Sequence, residues 1–303
     1  MDLPSGVTVL ERGWLSANSI LFVGSGPTSL VDSGYCTHAG QTVDMVQGAL
    51  GGRALEILVN THLHSDHCGG NAALQSVFPL LRTFIPPGQA EQVRHWDPVA
   101  LTYVPTGQIC PRFRVDGVLA PGSEIHLGDQ PWQIHAAPGH DPHSVILFEP
   151  QSRTLLSADA LWENGFGVVF PEMEGEKAFA EVAATLDLIE RMNPKIVIPG
   201  HGRVFCAVDP ALEFARRRLD GFIANPHKHA LHAAKVLLKF KLLELQRLKL
   251  VELVRWAQAT PYFGLVHQRW FPDTPLEQWV ELLAADLTRS GAAQREGEWV
   301  LNA

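Results

Sequence analysis

Cysteine is scarce in this chain of 303 residues, and its four copies, Cys36, Cys68, Cys110 and Cys206, stand far apart. They form no Cys-x-x-Cys pair, so the sequence favours neither a disulfide framework nor a zinc site built from paired thiolates. We expect all four to be reduced. Cys68 adjoins a histidine-rich run, but a small buried apolar role is the ordinary one for an isolated cysteine.

Long apolar runs are also missing, and the start of the sequence does not resemble a secretory leader. No uninterrupted apolar stretch approaches the roughly 20 residues that cross a bilayer. The start Met1-Asp2-Leu3-Pro4 is acidic and interrupted by proline, with no basic leader or apolar core. These features predict a cytoplasmic protein that does not bind membranes.

Positive charge is in short supply over most of the chain, whose formal net charge is −8. From residue 222 onward ten Lys and Arg stand against eight Asp and Glu, which leaves 14 basic against 24 acidic side chains in residues 1–221. An acidic body disfavours a dedicated nucleic-acid surface. We therefore expect a small-molecule substrate; the oligomeric state stays open, with a homodimer as one alternative.

The motifs of nucleophilic hydrolases are absent too, since the chain has neither a Gly-x-Ser-x-Gly elbow nor a Ser-x-x-Lys. What it has instead is histidine. Three imidazoles and one carboxylate fall within six consecutive residues, directly after an apolar stretch: His62, His64, Asp66 and His67. Imidazole nitrogen and carboxylate oxygen are zinc ligands. In an extended segment His67 would point away from the face that the other three share, so the run is able to serve two adjacent metals.

Three further motifs follow downstream, each just after an apolar, strand-like stretch. They are Pro138-Gly139-His140, Ser157-Ala158-Asp159-Ala160 and Pro199-Gly200-His201-Gly202. Together with the His-x-His-x-Asp-His run, they resemble, in order, the motifs of the metallo-β-lactamase superfamily. The resemblance is to its glyoxalase II-like hydrolases, including those that carry a C-terminal winged-helix module. A single Pro-Gly-His would be weak evidence, whereas four motifs in order make coincidence a poor explanation.

The resemblance implies a metal centre with two ions, for which zinc is expected and iron or manganese are alternatives. It assigns the ligands in three sets: His62, His64 and His140 to the first metal, Asp66, His67 and His201 to the second, and Asp159 as the bridge. Two divalent ions about 3.5–4 Å apart hold a shared hydroxide and polarise a carbonyl or phosphoryl oxygen.

Two of these ligands are predicted to be catalytic as well. Asp159 would set the spacing of the metals, and Asp66 would pass a proton to the leaving atom. Asp32, in the early element Leu30-Val31-Asp32-Ser33-Gly34, is predicted to orient a ligating histidine. A turn aspartate that hydrogen-bonds its own backbone fits the same residues equally well.

Short apolar or alternating strands recur in two halves of the chain, among them Ile20–Val23, Leu55–Val59, Trp132–Ala136 and Ile196–Ile198. A helix is predicted over Gly175–Met192, where apolar residues recur at helical spacing. This order fits an α/β fold, the four-layer αββα sandwich that the resemblance implies. We expect it to form a catalytic domain of residues 1–221.

Helices dominate the remainder, and residues 222–303 are predicted to form a small second domain. Its expected elements are the helices His229–Leu245, Leu248–Gln258 and Pro275–Arg289, followed by a hairpin over Gly291–Leu301. Three helices and a β-hairpin are the order of a winged helix. The helix that would read DNA is acidic, so we expect the domain to shape the substrate pocket or mediate a dimer rather than to bind nucleic acid.

The segment after Asp159 is rich in aromatic side chains. Trp162, Phe166 and Phe170 are predicted to line an apolar acyl pocket, with core packing expected for at least one of them. The leading prediction is a dinuclear zinc hydrolase that cleaves an ester, thioester or lactone with a metal-bridging hydroxide. The alternatives are a metal-dependent ribonuclease or phosphodiesterase, and an iron-dependent sulfur dioxygenase.

Cations are sparse in that part of the sequence. Between His140 and Arg191 only Arg153 and Lys177 are basic. Because a polyanionic phosphate is recognised by clustered Arg and Lys, we expect no cationic substrate site from this segment.

Overall fold

The first third of the chain forms a β-sheet whose strands follow one another in sequence. The computed structural model describes residues 3–303; Met1 and Asp2, part of the start that suggests no leader, lie outside the described residues. In that described part the sheet is built, in spatial order, from β1 (Val7–Leu10), β2 (Ser19–Phe22), β3 (Ser29–Val31), β4 (Ile57–Val59), β5 (Arg82–Ile85) and β6 (Gly117–Val118). β1 to β3 are antiparallel and β3 to β6 are parallel.

A second sheet is formed by the strands that follow. They are β7 (Glu124–Leu127), β8 (Gln130–Ala136), β9 (Val145–Glu149), β10 (Thr154–Ala158) and β11 (Ile196–Pro199), in the spatial order β11-β10-β9-β8-β7. Neighbouring strands are antiparallel except β10 and β11, which run parallel. Parallel pairing puts the carboxyl ends of β10 and β11 side by side, which matters for the site.

The two sheets pack face to face over a shared apolar core. Val31 and Val59 of the first sheet meet Trp132, Leu147 and Ile198 of the second. All five side chains are buried. Removing such apolar surface from water, at about 25 cal/mol per Å², supplies the main stabilisation of the sandwich.

Among the described residues, eight α-helices accompany the two sheets, and four of them cover the outer faces. They are α1 (Ala39–Leu50), α2 (Ser65–Cys68), α3 (Asn71–Val77), α4 (Ala90–His95), α5 (Tyr103–Thr106), α6 (Phe170–Glu174), α7 (Phe179–Met192) and α8 (Val208–Ala224). α1 and α3 pack on the first sheet, and α7 and α8 pack on the second. α7 buries Phe179, Val182, Leu186 and Ile189, and it ends at Asn193 in the left-handed conformation. The predicted αββα sandwich is confirmed.

The C-terminal part is a small helical module with its own sheet. Its elements are α9 (Pro226–Leu245), β12 (Arg247–Lys249), α10 (Leu250–Ala259), α11 (Pro261–Trp270), α12 (Leu276–Arg289), β13 (Ala293–Glu296) and β14 (Trp299–Asn302). The hairpin of β13 and β14 was expected, whereas β12, which pairs with β14, and α11 were not. The winged-helix interpretation of this module stays a prediction.

The module packs against the sandwich through a shared core. Val168 and Met173, from the segment after β10, are buried among the apolar side chains of α9 to α12. The predicted boundary between residues 221 and 222 lies within the last turn of α8 and remains a prediction. Among residues 3–303, no helix combines the length and apolar character needed to cross a bilayer.

The core between the sheets predicts that the same change, leucine to alanine, lowers the free energy of unfolding very differently at two positions. Leu147→Ala removes a fully buried side chain, whereas Leu80→Ala changes a side chain that is 92% exposed. Leu147→Ala should lower the free energy of unfolding by about 2–5 kcal/mol, and Leu80→Ala should change it by less than about 0.5 kcal/mol. Urea denaturation measures both; equal midpoints would contradict the packing described here.

Candidate metal centre

The candidate ligands gather at one edge of the sandwich, just beyond the carboxyl ends of four strands. β4, β8, β10 and β11 are followed in turn by His62, His140, Asp159 and His201. The local conformation of the histidine-rich run differs from the extended one expected. Residues Ser65–Cys68 form the short helix α2, in which the N–H groups of His67 and Cys68 donate to the His64 carbonyl oxygen. This turn brings His67 back towards the cluster.

Three imidazoles form the first group of candidate ligands. One nitrogen each of His62, His64 and His140 lies within 4.8 Å of the others. His64 Nδ1 is 2.8 Å from His140 Nε2, while His64 Nε2 is 3.7 Å from the carboxylate of Asp141, which the sequence did not single out. Three nitrogens converging on one point is the arrangement of a three-histidine metal site.

A second group adjoins the first. Ligand atoms of Asp66, His67 and His201 also lie within 4.8 Å of one another, and Asp66 Oδ2 is 3.1 Å from His201 Nε2. Asp159 stands between the groups: its Oδ2 is 3.4 Å from His140 Nε2 and its Oδ1 is 3.5 Å from His67 Nε2. One carboxylate therefore reaches both groups, as a bridging ligand must.

The donor atoms fit divalent cations chemically. Within residues 3–303, the buried Nε2 atoms of His62 and His67 have no hydrogen-bond partner, which is costly unless something else binds them. Burial lowers the pKa of His62 well below its usual value and the pKa of His64 and of His140 to about 4. These three imidazoles are therefore neutral near pH 7, as metal ligands need to be.

The carboxylate of Asp159, in contrast, is held in its charged form. Burial alone would raise the pKa of Asp159, but the imidazoles of His67 and His201 hold it well below its usual value. Burial would likewise lower the pKa of His67, but Asp159, Asp32 and Asp66 raise it well above the ordinary value. Negative charge thus accumulates where cations would bind.

Asp32 contacts the candidate ligand His67 at the ring nitrogen Nδ1. Its Oδ2 lies 2.8 Å from His67 Nδ1 and accepts from the Thr61 hydroxyl, and its Oδ1 accepts from the Thr61 N–H. Its backbone is left-handed, with φ 59°, a conformation that aspartate tolerates better than most residues. A carboxylate on Nδ1 fixes the ring so that Nε2 faces the cluster.

Residues 12–201 match the family model of the metallo-beta-lactamase superfamily. The chain belongs to this superfamily. A hydroxyacylglutathione hydrolase of Thermosynechococcus vestitus is 28% identical over 156 residues, which are 52% of this chain and 50% of that protein. The human acyl-coenzyme A thioesterase MBLAC2 is 24% identical over 214 residues, 63% of this chain and 75% of that protein. The chain thus spans about half the length of the hydroxyacylglutathione hydrolase.

Solved structures with the same fold extend over the C-terminal module. A metallo-beta-lactamase family protein from Thermus thermophilus has a TM-score of 0.57 at 19% identity and covers 99% of both chains. A beta-lactamase domain protein from Burkholderia ambifaria has a TM-score of 0.58 at 18% identity and covers 100% of this chain and 94% of its own. Likeness at this identity shows the metallo-β-lactamase fold alone.

Two backbone features that place the ligands escaped the sequence motifs. Ala158 has φ 46°, at an irregularity in the pairing of β10 with β11, and this turn presents Asp159 to the cluster. Gly200 lies so close that a Cβ built on it would be 2.3 Å from Asp159 Oδ1 and 2.9 Å from His67 Cε1. In this metallo-β-lactamase fold, the glycine of Pro-Gly-His-Gly is therefore needed for space rather than for a turn.

A cavity of about 570 Å³ opens from the metal centre towards the C-terminal module. Trp162 and Phe170 line it, whereas Phe166, which was also predicted to line an acyl pocket, is buried against Phe222 in the core behind. Trp14 was missed: it stacks on His201 with ring centroids 5.3 Å apart. No motif marks this tryptophan, because it comes from a loop far away in the sequence.

Cations from a later part of the chain line the cavity away from the candidate ligands. Arg218 of α8 and Lys235 and Lys239 of α9 line it, together with His232. The segment after Asp159 lacks basic residues, as noted, but the fold brings these from the end of the chain. Lys235 is near Asp286, and Lys239 is bound by carbonyl and amide oxygens.

The contact of Asp32 with His67 predicts a loss of metal affinity without a loss of fold. Asp32→Asn should weaken zinc binding by about 10–100-fold, because an amide no longer fixes the His67 ring as an anion does. Competition with a chromophoric chelator measures it. Asp129→Asn is the matched control, since this exposed carboxylate also accepts backbone N–H groups but lies away from the centre. Equal affinities of the two variants would contradict the role of Asp32.

Proposed function

We propose that this protein is a metal-dependent hydrolase of thioesters that binds two zinc ions. His62, His64 and His140 would hold one ion, Asp66, His67 and His201 the other, and Asp159 would bridge them. The observation that carries the proposal is the position of Asp159, whose two oxygens lie within 3.5 Å of nitrogens from both groups. The hydrolase and thioesterase relatives support the same reaction class.

Two bound divalent ions supply a water that ionises near neutral pH and polarise the carbonyl under attack. The protein side chains then handle the transfer of the proton. The water oxygen joins the carbonyl carbon, the carbon–sulfur bond breaks, and the proton goes to the sulfur. Asp66 would carry that proton, because its carboxylate borders the cavity.

The shape of the cavity favours an apolar acyl group beside the metals. Trp14 and Trp162 meet edge to face with centroids 5.3 Å apart, and Phe170 lies across the cavity against His64 at 5.2 Å. These rings would bury an acyl chain and exclude bulk water from the carbonyl. A thioester fits this arrangement better than RNA, which would need a broad cationic track.

Arg218 supports a substrate whose thiol part carries an anionic group. The Arg218 side chain is partly buried, and the hydrogen-bond partners of its guanidinium in the described part of the chain are neutral, namely the Asn164 carbonyl oxygen and His232 Nε2. Burial, then the charge of Arg218, lowers the pKa of His232 to about 3, so that ring is uncharged. A cation held among neutral partners and the faces of Phe166 and Phe222 is best stabilised by an anion from the ligand.

Metal analysis tests the centre itself. The purified protein should hold about two equivalents of zinc, and Asp159→Ala should bind fewer and lose more than nine-tenths of the hydrolytic rate while keeping its circular dichroism spectrum. Mass spectrometry of the metal content and steady-state kinetics measure these outcomes. Iron as the dominant metal, with oxygen-consuming turnover of persulfides, would favour a sulfur dioxygenase instead. An Asp159→Ala variant that retained a tenth of the rate would indicate a single-metal mechanism.

Substrate comparison tests the reaction class. Acyl thioesters should exceed bis-aryl phosphodiesters and RNA by at least tenfold in kcat/KM, a difference of about 1.4 kcal/mol. Arg218→Met should raise KM at least tenfold for an acyl-coenzyme A but not for the uncharged N-acetylcysteamine thioester of the same acyl group. Arg217→Met is the control, since this neighbour of Arg218 on α8 pairs with Glu213 at the surface. Phosphodiesters as best substrates would refute the thioester proposal.

A further inference from the structure

The C-terminal module reaches the metal centre through backbone groups. His229, in α9, is fully buried, and its Nε2 accepts a hydrogen bond of 3.1 Å from the Val169 N–H. An imidazole accepts only while that nitrogen is unprotonated. Burial, together with the charge of Arg218, lowers the pKa of His229 to about 4, so the ring stays a neutral acceptor at pH 7.

The residue before Val169 contacts a candidate ligand directly. Val168 offers its carbonyl oxygen to His140 Nδ1 at 2.5 Å. This hydrogen bond fixes the proton on Nδ1 and leaves Nε2 free to face the cluster. Next to it, the Gly167 N–H donates to the Asp159 carbonyl oxygen at 2.9 Å. The segment therefore contacts two of the candidate ligands, His140 and Asp159.

These contacts fall on four consecutive residues, Gly167–Phe170, which we call the bridge segment. The backbone groups of its first two residues bond to the candidate centre. Those of its last two bond to the module, because the Val169 N–H donates to His229 Nε2 and the Phe170 carbonyl oxygen accepts from the Tyr262 hydroxyl of α11 at 3.0 Å. The side chains of the two middle residues enter different cores: Val168 is buried in the core of the module and Val169 in the core of the sandwich.

The bridge segment also leaves the His140 ring little freedom. A Cβ built on Gly167 would lie 2.4 Å from His140 Nδ1, so the backbone of the segment is packed directly against the ring. A displacement of the segment by a few tenths of an ångström would therefore move the ring or break its hydrogen bond. Metal ligands are sensitive to such changes, since ligand orientation sets affinity.

We infer that His229 is a positioning residue for His140: through the bridge segment, the C-terminal module fixes the orientation of a metal ligand that belongs to the catalytic domain. The inference rests on the proposed function, in that His140 must bind a metal. It gives the module a role in assembling the centre, in addition to lining the cavity.

The test uses two variants of His229 in the full chain. His229→Phe removes the acceptor but keeps an aromatic ring, which suits a site between Phe179 and Phe222. His229→Gln keeps an acceptor, because its Oε1 is able to take the place of Nε2. We expect zinc affinity, measured by competition with a chelator, to fall about 10–100-fold in the phenylalanine variant. The glutamine variant should stay within threefold of the wild type.

A second readout separates positioning from general loss of stability. The cobalt-substituted protein should show a changed visible absorption spectrum in His229→Phe and an unchanged one in Val266→Ala, a cavity variant in the core of the same module. Tyr262→Phe, which removes the other bond to the bridge segment, should weaken zinc at least threefold. It also keeps the inference testable if His229→Phe does not fold.

The outcomes distinguish this inference from the proposed function. If wild-type protein binds two zinc ions and His229→Phe and Tyr262→Phe bind them equally well, the inference is wrong and the metal centre stands. If Val266→Ala loses as much affinity as His229→Phe, or His229→Gln rescues nothing, general packing explains the effect and the inference is again wrong. If wild-type protein binds no metal, the proposed function itself fails.

Discussion

Desolvation of ionisable groups is the constraint on which the structure of the centre depends. Imidazoles and carboxylates share a small buried volume, where an unpaired charge is costly. Burial keeps His62, His64 and His140 neutral, and carboxylates surround His67. The turn at Ala158 and the glycine at position 200 help to bring those groups within reach of one another.

Much of this arrangement was predictable because the ligands stand in short motifs after apolar strands. Each motif identifies the residues that directly follow a strand, and parallel strands place their carboxyl ends side by side. The αββα fold, the cluster and the approximate strand positions follow from that logic. The helical turn of Ser65–Cys68 did not, since four residues carry too little periodicity to separate a helical turn from an extended run.

The sequence could not predict features that arise where segments distant along the chain come close together. Trp14 and Arg218 border the cavity although neither lies in a motif, and His229 is one of several histidines in an amphipathic helix. β12 was missed because three residues, two of them charged, give no strand signal. α11 was missed because Pro261 looks like an interruption, although proline suits the first turn of a helix.

The candidate ligands come from both sheets, and this origin has a consequence for the mechanics of the molecule. His62 to His67 follow the first sheet, whereas His140, Asp159 and His201 follow strands of the second. Two bound metal ions would then cross-link the two sheets at one edge. Because such binding free energy adds to folding free energy, a chelator would do more than stop turnover. It would weaken the packing between the two sheets, and with it the part of the sandwich that packs against the C-terminal module.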